Sequence, residues 1–422
     1  MPQVFQNTLA FNGDAFDIFY LFKDEPQAFF LDSSLQVTSP QFSYIGFAPF
    51  ATVSGMSIPA FKKIFDRHRL KNQKLALPAG AVGYIGYDGS LFFGLYDTIL
   101  GFDHQKRQLN ISGLSQARIY EVLKRIRQAP MVKRKLKHSP SQINFKSNFT
   151  KLEYMKAVRR ALEHIRRGDI YQINLSHQIK VESFRGGYFP QPVQIYKNLR
   201  RSFPSEFGAY FDDGRQVILS ASPERFLRLQ NRAVQVKPMK GTRPRGKSKF
   251  QDRKLKEQLL KNPKEIAELL MVTDLERNDL GRVCDYASVK VKAMRTIETY
   301  ASVFQATSTI EGRLRRDMDS FDLLQAAFPS GSVTGCPKIA AMKIIKELER
   351  GPRGLYTGAL GYISFSGDMD FNVMIRTMFV KQQQITFHVG GGIVADSNPS
   401  DEWQETWDKA QALIETLKRS FL

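Results

Sequence analysis

Two residues in the middle of the chain could act together as an acid and a nucleophile. Glu224 precedes one apolar run, residues 226–229, and Lys240 follows a second, residues 233–236, so a predicted hairpin holds them at its two ends. Gly241-Thr242-Arg243-Pro244 comes next and is a turn-forming sequence that would fix the chain just beyond the lysine. Because a carboxyl group can donate a proton and an amine can attack carbon, the pair predicts acid and nucleophilic catalysis. The alternative is a solvated lysine before a turn, which is common in a lysine-rich protein.

A carboxylate on a predicted helix is the next candidate. Asn262-Pro263 opens this helix, and Glu268 falls on the same side as the apolar Val272. The spacing therefore predicts a partly buried carboxylate. Three apolar residues of the same helix are expected to face the core: Ile266, Leu269 and Leu270.

Charged residues near the C-terminus offer further candidates. Glu405 and Lys409 lie one turn apart on the last predicted helix, an arrangement that fits a site but equally an i,i+4 surface ion pair. Arg376 is set among apolar residues in a strand predicted over 371–380. A guanidinium group in such surroundings is unfavourable unless it meets a carboxylate or solvent.

Backbone and amide groups complete the candidate site. The sequence FPSGSVTGCP at 328–337 leads into a helix, where backbone N–H groups can bind an anion. Residues 390–392 are three glycines at the end of a strand, where the backbone can approach a ligand closely. Gln172 lies on the uncharged polar face of an alternating strand, which fits a site wall but also an ordinary solvated sheet face.

The elements that must position these residues indicate an α+β fold. Thr150 and Glu153 form a predicted capping box at the start of a helix that Gly168 ends. Antiparallel hairpins dominate the rest of the chain, and no βαβ dinucleotide fingerprint is present. We therefore predict antiparallel sheets with helices rather than a doubly wound fold.

Composition divides the chain and limits its partners. The 422 residues carry 62 Lys and Arg against 41 Asp and Glu, a net charge of +21. A dense basic run at 133–138 lies in a Pro- and Ser-containing connector over 128–148, which separates an N-terminal region, 1–127, from a C-terminal region, 149–422. A net charge of +21 can favour binding to nucleic acid, to an anionic membrane surface or to a small anionic substrate. No nucleic-acid-binding motif accompanies it, so we disfavour a nucleic-acid partner.

The cellular setting is expected to be cytoplasmic. Cys284 and Cys336 cannot make a disulfide framework, and no Cys/His metal spacing surrounds them. The N-terminus lacks the order of a signal peptide, and no apolar run is long enough to span a membrane.

Seven ordered blocks in the C-terminal region resemble the chorismate-utilising enzymes, namely the large subunits of aminodeoxychorismate synthase and anthranilate synthase and their isochorismate and salicylate synthase cousins. The likeness covers nearly the whole chain, since FFLDSS, FSYIGFAPF and GAVGYIGYD in the N-terminal region also resemble the family. It implies an anthranilate synthase component I-like fold of two large facing antiparallel β-sheets flanked by helices. The seven blocks are GDIYQINLS, SPERF, PMKGTRPRG, AELLMVTDLERNDLGRVC, FPSGSVTGCPKIAAM, YTGALGYISFSGDMDFNVMIRT and GGGIVADSNPSDEWQETWDKA.

The resemblance also implies roles for individual residues. Glu268 and Glu405 match the family's Mg²⁺-binding carboxylates, and Mg²⁺ prefers such hard oxygen ligands. Arg376 and Tyr356 match the positions that receive the pyruvyl carboxylate of chorismate, where an Arg fork suits a planar anion. Further matches to substrate-binding positions are Ser332, Gly390, Gly391, Gly392, Lys409, Thr242 and Gln172.

Two residues indicate which family chemistry to expect. Cousins that use water have a lysine at the position of Gln172, so an amide there points to ammonia as the nucleophile. PMKGT, with Lys240, resembles aminodeoxychorismate synthases, whereas anthranilate synthases have alanine at that position. The implied mechanism has Glu224 protonating the departing C4 hydroxyl group while Lys240 adds at C2, after which ammonia adds at C4 and expels the lysine. Anthranilate synthase, of the tryptophan pathway, is the alternative.

The sequence departs from the family pattern at Gln305, and it lacks a glutaminase arrangement. Gln305 stands where family members usually have a histidine, which is associated with the aromatising step in anthranilate-forming relatives. The chain has no Cys-His-Glu glutaminase arrangement, so we expect ammonia from a separate glutamine amidotransferase subunit or free ammonium. Phe30-Leu31-Asp32-Ser33-Ser34 matches a tryptophan-binding segment of some relatives too loosely to predict feedback control.

Overall fold

The structure is a computed structural model that describes residues 3–35, 41–70, 77–129, 143–184, 189–299 and 303–421. The predicted basic run at 133–138 lies outside the described residues, as does most of the predicted connector around it. Residues 143–147, the end of that connector, form a strand that pairs with the strand after the next helix.

The described residues contain the following strands: β1 Phe5–Ala10, β2 Phe29–Asp32, β3 Phe42–Gly46, β4 Ala51–Ser54, β5 Gly80–Ile85, β6 Leu91–Tyr96, β7 Thr98–Asp103, β8 Gln108–Gly113, β9 Ile143–Ser147, β10 Gln172–Phe184, β11 Phe207–Asp212, β12 Val217–Ser222, β13 Arg225–Gln230, β14 Ala233–Val236, β15 Met239–Pro244, β16 Lys290–Thr299, β17 Val303–Arg313, β18 Gly335–Cys336, β19 Ala359–Ser364, β20 Met369–Val373, β21 Thr377–Lys381 and β22 Gln384–Ile393.

The helices of the same residues are α1 Ala15–Phe22, α2 Ile58–Phe65, α3 Gln116–Gln128, α4 Lys151–Arg167, α5 Pro192–Ser202, α6 Lys249–Lys261, α7 Pro263–Gly281, α8 Ser320–Ala327, α9 Lys338–Leu348 and α10 Pro399–Ser420, with short 3-10 turns at Asp66–His68 and Gly331–Val333. In the part of the chain that the structure describes, no helix is long and apolar enough to cross a membrane.

The strands form two antiparallel sheets that face each other. The larger sheet has the order β1-β8-β7-β3-β2-β11-β12-β21-β22-β10-β18, with β9 on β10, and the smaller has β15-β17-β14-β13-β20-β19-β5-β6-β4, with β16 on β17. Phe29 and Phe211 of the larger sheet pack with Val82 and Leu360 of the smaller in one buried cluster. Burial of this apolar layer drives the sheets together. The predicted α+β fold of two facing sheets flanked by helices is confirmed.

Strands from both sides of the predicted sequence boundary contribute to each sheet. β2 pairs with β11 in the larger sheet, where Leu31 is opposite Ala209. β5 pairs with β19 in the smaller sheet, where Val82 is opposite Tyr362. The division into 1–127 and 149–422 is thus a division of sequence, and the two regions share their sheets.

Local predictions around the site agree with the structure in part. The hairpin formed by β13 and β14 is present, and Thr150 and Glu153 form the capping box of α4. On α7, Leu269 is buried as predicted. Ile266 and Leu270, which were expected to face the core, are 41% and 53% exposed, so that part of the prediction is wrong.

Two of the points at which the chain crosses between the sheets lie next to each other. β12 of the larger sheet leads through Pro223-Glu224 to β13 of the smaller sheet, and β20 leads back through residues 374–376 to β21. The carbonyl oxygen of Glu224 accepts a hydrogen bond from Val373 N, and that of Arg376 accepts one from Ala221 N, each at 3.1 Å. The single strand predicted over 371–380 is wrong, because Arg376, at φ +49°, turns the chain from one sheet to the other.

Candidate active site

Three glycines of β22 bring a strand backbone against the predicted catalytic residues. Gly392, Gly391 and Gly390 lie opposite residues 174–176 of β10. A Cβ atom on Gly392 would lie 2.6 Å from Gln172 Nε2 and 3.6 Å from Lys240 Nζ. A Cβ atom on Gly391 would face the carboxylates of Glu402 and Glu405, at 3.2 and 3.7 Å. A side chain at Gly392 would therefore occupy the space beside Lys240. The adjacent glycine of β22 lies next to Glu402 and Glu405, so the lysine and the two glutamates line neighbouring positions of the same strand.

Lys240 points into this space from β15. Its Nζ donates a hydrogen bond to the Ser332 carbonyl oxygen at 3.0 Å. A bulge at Gly241, whose φ is +79°, follows the lysine and places Thr242 opposite Gln305 on β17. Although the residue as a whole is half-buried, burial of the amine lowers the pKa of Lys240, while Glu268, Glu224 and Glu405 oppose that shift. The lowered pKa favours the neutral amine, which is the nucleophilic form.

Glu224 is buried at the crossing between β12 and β13 and is 3% exposed. Burial raises the pKa of its carboxyl group to about 7, against the lowering effects of the Ser332 hydroxyl group and of Lys240. Among the described residues, Oε1 of Glu224 has no hydrogen-bond partner. A carboxyl group with these properties can hold a proton near neutral pH and donate it.

A buried serine turn, Gly331–Val333, joins the lysine to a further carboxylate. Ser330 Oγ lies 3.0 Å from Ser332 Oγ and donates to Glu276 Oε1 at 3.2 Å, and Gly331 N donates to the same oxygen at 2.8 Å. Glu276, on α7, is fully buried, and burial raises its pKa to about 7. The predicted substrate contact Ser332 is itself buried.

Glu268, predicted as a metal ligand, lies on α7, and Glu405, the second predicted ligand, lies on α10 one turn after Glu402. Burial raises the pKa of Glu268, and the charge of Glu405 raises it further, so the two carboxylates are close enough to interact. Burial also raises the pKa of Glu405, but Lys409, with Nζ at 2.7 Å from Oε1, lowers it below the usual value. The predicted i,i+4 ion pair between Glu405 and Lys409 is thus present.

The carboxylates of Glu268, Glu402 and Glu405 offer oxygen atoms to a divalent cation. Within the described ranges, no group of three or more His, Cys, Asp or Glu residues could hold a metal ion. Oε2 of the buried Glu402 has no hydrogen-bond partner among the described residues, and Oε1 accepts from Ser397 Oγ at 2.6 Å. A pair of carboxylates beside an unpaired buried carboxylate oxygen fits Mg²⁺ that takes its remaining ligands from water and substrate.

Arg376 and Gln305 lie close together. Both line a small cavity of about 20 Å³ with Glu206 and Pro223, next to the crossing that carries Glu224. Gln305 is 2% exposed, and its Oε1 has no partner among the described residues. The glutamine at the family's histidine position is therefore a buried neighbour of the predicted carboxylate-binding arginine.

Tyr356 is buried against residues that sequence reasoning did not connect with it. Its ring stacks on His388, with centroids 4.9 Å apart, and the Arg353 guanidinium lies 5.9 Å from it. Burial lowers the pKa of His388 to about 3, so this histidine is neutral near pH 7. Arg353 pairs with Glu349 and donates to the carbonyl oxygens of Val333 and Asn174, at 2.8 and 2.7 Å. It thereby fixes the serine turn to β10.

Sequence reasoning missed Glu276, Glu402 and Arg353. A signal existed for the two acids, since Glu276 follows Glu268 by two helical turns and Glu402 precedes Glu405 by one. Of the predicted residues, Thr242 is exposed, whereas Gln172 is buried beside Gly392. The structure thus brings Lys240, Glu224, Ser332, Gln172 and the glycine strand together.

A larger cavity lies elsewhere, between the two sheets. Its volume is about 750 Å³, and Leu31, Asp32, Ser33, Glu206 and Arg228 are among the residues that line it. None of the predicted site residues lines it. The residues of the candidate site therefore lie outside this larger cavity.

The fold is similar to that of a solved enzyme, and the sequence matches an enzyme family. The structure is similar to the crystal structure of anthranilate synthase component I from Streptococcus pneumoniae TIGR4, with a TM-score of 0.78 and 30% sequence identity over 90% of this chain and 93% of that one. Residues 27–415 match the family described as chorismate binding enzyme. The chain belongs to this family.

Relatives with two different names are similar to the chain. Anthranilate synthase component 1 of Aquifex aeolicus is 43% identical over 279 residues, which cover 66% of this chain but only 56% of the relative. Aminodeoxychorismate synthase component 1 of Salmonella typhimurium is 37% identical over 371 residues, which cover 83% of this chain and 79% of the relative. Overall identity therefore does not separate the two reactions.

Proposed function

We propose that this protein is the synthase component of an aminodeoxychorismate synthase. It replaces the C4 hydroxyl group of chorismate by an amino group to give 4-amino-4-deoxychorismate, the precursor of 4-aminobenzoate for folate synthesis. The observation that supports this reaction is the position of Lys240, whose amine faces the glycine strand and has a pKa lowered by burial. Aromatising the ring with loss of pyruvate does not need such a nucleophile.

Glu224 and Lys240 act together in the first step. Glu224 gives its proton to the C4 hydroxyl group, which leaves as water, while the neutral Lys240 amine forms a bond to C2 as the double bonds shift. Ammonia then adds at C4 and the C2–N bond breaks, which returns Lys240 as a neutral amine. The covalent adduct divides one difficult displacement into two easier ones.

The remaining predicted residues bind the substrate and the nucleophile. Arg376 and Tyr356 receive the pyruvyl carboxylate, and Ser332, Thr242, Lys409 and the glycines of β22 contact the ring end. Gln172 is buried beside Lys240, and its Oε1 has no partner among the described residues, so it can accept a hydrogen bond from ammonia. An amide cannot take a proton from water, which disfavours hydroxylation.

Glu268 and Glu405 are proposed to hold Mg²⁺. When bound, the ion would neutralise the ring carboxylate of chorismate and orient it. The two glutamates come from α7 and α10, and Lys409 competes for one of them through its ion pair with Glu405. The ammonia is proposed to come from a separate glutamine amidotransferase subunit.

Product analysis tests the proposal. The purified chain is incubated with chorismate, Mg²⁺ and ammonium, with and without an added aminodeoxychorismate lyase, and products are separated by mass. We expect 4-aminobenzoate only when the lyase is present, and no product when glutamine replaces ammonium. Anthranilate formed without the lyase would instead support the second candidate, anthranilate synthase component I, which the Aquifex relative favours by its name and its 43% identity.

A further inference from the structure

A buried ion pair joins two sides of the candidate site. Glu349 directly follows α9, and Arg353 comes four residues later, with side chains that are 5% and 1% exposed. Arg353 Nη2 lies 2.7 Å from Glu349 Oε1, and Arg353 Nε lies 2.9 Å from Glu349 Oε2, so the guanidinium group binds both oxygens of the carboxylate. Because both side chains are almost fully buried, protein contacts rather than solvent fix the geometry of the pair.

The first side of the site is the serine turn, which carries the hydrogen-bond acceptor of Lys240. Lys240 Nζ donates to the Ser332 carbonyl oxygen at 3.0 Å. The next carbonyl oxygen along the turn, that of Val333, accepts from Arg353 Nη1 at 2.8 Å. Two consecutive carbonyl groups therefore connect the amine of the lysine to the guanidinium group.

The second side is β10, which pairs with the glycine strand. Arg353 Nη2 donates to the Asn174 carbonyl oxygen at 2.7 Å. Glu349 Oε1 accepts from the backbone N–H and from the hydroxyl group of Ser176, each at 2.8 Å. Asn174 lies opposite Gly392 of β22. Both members of the ion pair are therefore bound to the strand that holds the glycines.

Both walls of the space beside Lys240 are thus attached to one ion pair. A Cβ atom on Gly392 would lie 3.6 Å from Lys240 Nζ, so the gap between the amine and the strand is narrow. A guanidinium group directs five N–H donors in one rigid plane, whereas an ammonium group has three donors on a single nitrogen atom. Arg353 uses this planar group to bind a carboxylate and two carbonyl groups from different segments at once.

We propose that Arg353, held by Glu349, is a positioning residue that fixes the place of the Lys240 amine relative to the glycine strand. This rests on the proposed function, in which Lys240 attacks C2 of chorismate. A displacement of about 1 Å between reacting groups can reduce a rate about 100-fold. Asn174 N also donates to the Thr334 carbonyl oxygen at 2.8 Å, so without the arginine the turn stays attached to β10 but is held less precisely.

The first test is Arg353→Lys, which keeps the charge and loses the planar group of donors. We expect kcat for chorismate consumption to fall about 10- to 100-fold and KM for chorismate to change by less than about 3-fold, because the residues proposed to bind the substrate are unchanged. In reactions without ammonium, intact-protein mass after an acid quench follows an adduct of chorismate less water, and its rate of formation should fall by the same factor. An unchanged kcat, or a rise in KM that accounts for the whole loss of kcat/KM, would overturn the proposal.

A double variant separates positioning from stability. Arg353→Met combined with Glu349→Leu removes both buried charges together, and such apolar replacements of a buried ion pair often preserve stability. We expect thermal unfolding close to that of the unsubstituted protein and a kcat that remains lower by about 10-fold or more. Full kcat in the double variant, or failure of both this variant and Arg353→Lys to fold, would show that the pair serves only the fold and would overturn the proposal.

The matched control is Arg200→Lys. Arg200 is a mostly buried arginine of α5 that pairs with Asp14 and Asp32. The substitution should lower the temperature of unfolding and leave kcat unchanged. A fall in kcat as large as that of Arg353→Lys would show that loss of any buried arginine slows the reaction, which would overturn the specific role of Arg353.

The outcome is separable from that of the proposed function. An adduct that forms in the unsubstituted protein, and at an equal rate in Arg353→Lys, would overturn the positioning role and leave the proposed function in place. Anthranilate from the unsubstituted protein, with no adduct, would overturn the proposed function itself.

Discussion

The Lys240 amine lies 3.0 Å from the carbonyl oxygen of Ser332, on the same turn whose hydroxyl groups lead to Glu276. The nucleophile of the proposed reaction is therefore held by the short segment Gly331–Val333, beside the buried carboxyl group of Glu276. A carbonyl oxygen accepts from the amine whether it is charged or neutral, and it aims the nitrogen at the space beside Gly392.

Lys240→Ala should abolish the covalent step and reduce amination at C4 by at least 100-fold, since no other amine occupies that position. Quenched reactions examined by intact-protein mass should show an adduct for the unsubstituted protein and none for the variant. Lys237→Ala, which removes a lysine from the same segment that pairs with Glu298, serves as the control. Full C4 amination by Lys240→Ala would end the nucleophile role.

The pH profile of kcat should be bell-shaped. Lys240 must be neutral, and its pKa is lowered by burial, so activity rises with pH on the acid limb. Glu224 must be protonated, and burial raises its pKa to about 7, so activity falls as the pH passes through that value. Initial rates from pH 5 to 9 at constant free NH₃ give both limbs. A rate that continues to climb above pH 8 would show that Glu224 is not the acid.

Glu405→Gln should raise the Mg²⁺ concentration for half-maximal activity by about 10- to 100-fold, because it removes one of two charged oxygen ligands. Titration of activity with MgCl₂ measures this shift, and isothermal calorimetry of Mg²⁺ binding in the presence of chorismate checks it independently. The matched control is Glu415→Gln, an exposed glutamate of α10 that contacts Gln411. Equal Mg²⁺ dependence in both variants would contradict the proposed ligand.

Arg376→Lys should raise KM for chorismate by about 10-fold or more. Both limbs of the pH profile of kcat should stay at the same pH values. The planar guanidinium group binds a carboxylate through two hydrogen bonds, which an ammonium group cannot reproduce. Steady-state kinetics at saturating Mg²⁺ separates KM from kcat. A variant with unchanged KM would show that the pyruvyl carboxylate is bound elsewhere.

Local signals in the sequence predicted the elements that carry the site better than the contacts between them. The capping residues of α4 and the hairpin of β13 and β14 depend on neighbours in sequence, and both are present. The division of residues 371–380 at Arg376 depends on which sheet each half joins, and no local pattern encodes that choice. The roles taken from the resemblance to the family remain predictions.

Burial of polar residues was the least predictable feature. Glu276 lies in a charged stretch, Glu-Arg-Asn-Asp, that is typical of a solvated helix face, yet it is fully buried. The donors that make its burial possible are Ser330 and Gly331, which lie 54 and 55 residues further along the chain. Ile266 and Leu270 are exposed on the same helix, so its apolar spacing gave the wrong face at that end.

The order β21-β22-β10 in the larger sheet has a consequence for synthesis of the protein on the ribosome. β10 leaves the exit tunnel long before β22, its central partner and the carrier of the three glycines. Until the last strand is translated, the edges of β10 and β21 have open backbone groups that can pair with other chains. Nascent chains stalled before residue 384 should therefore recruit chaperones, and the site should form only once β22 has left the exit tunnel.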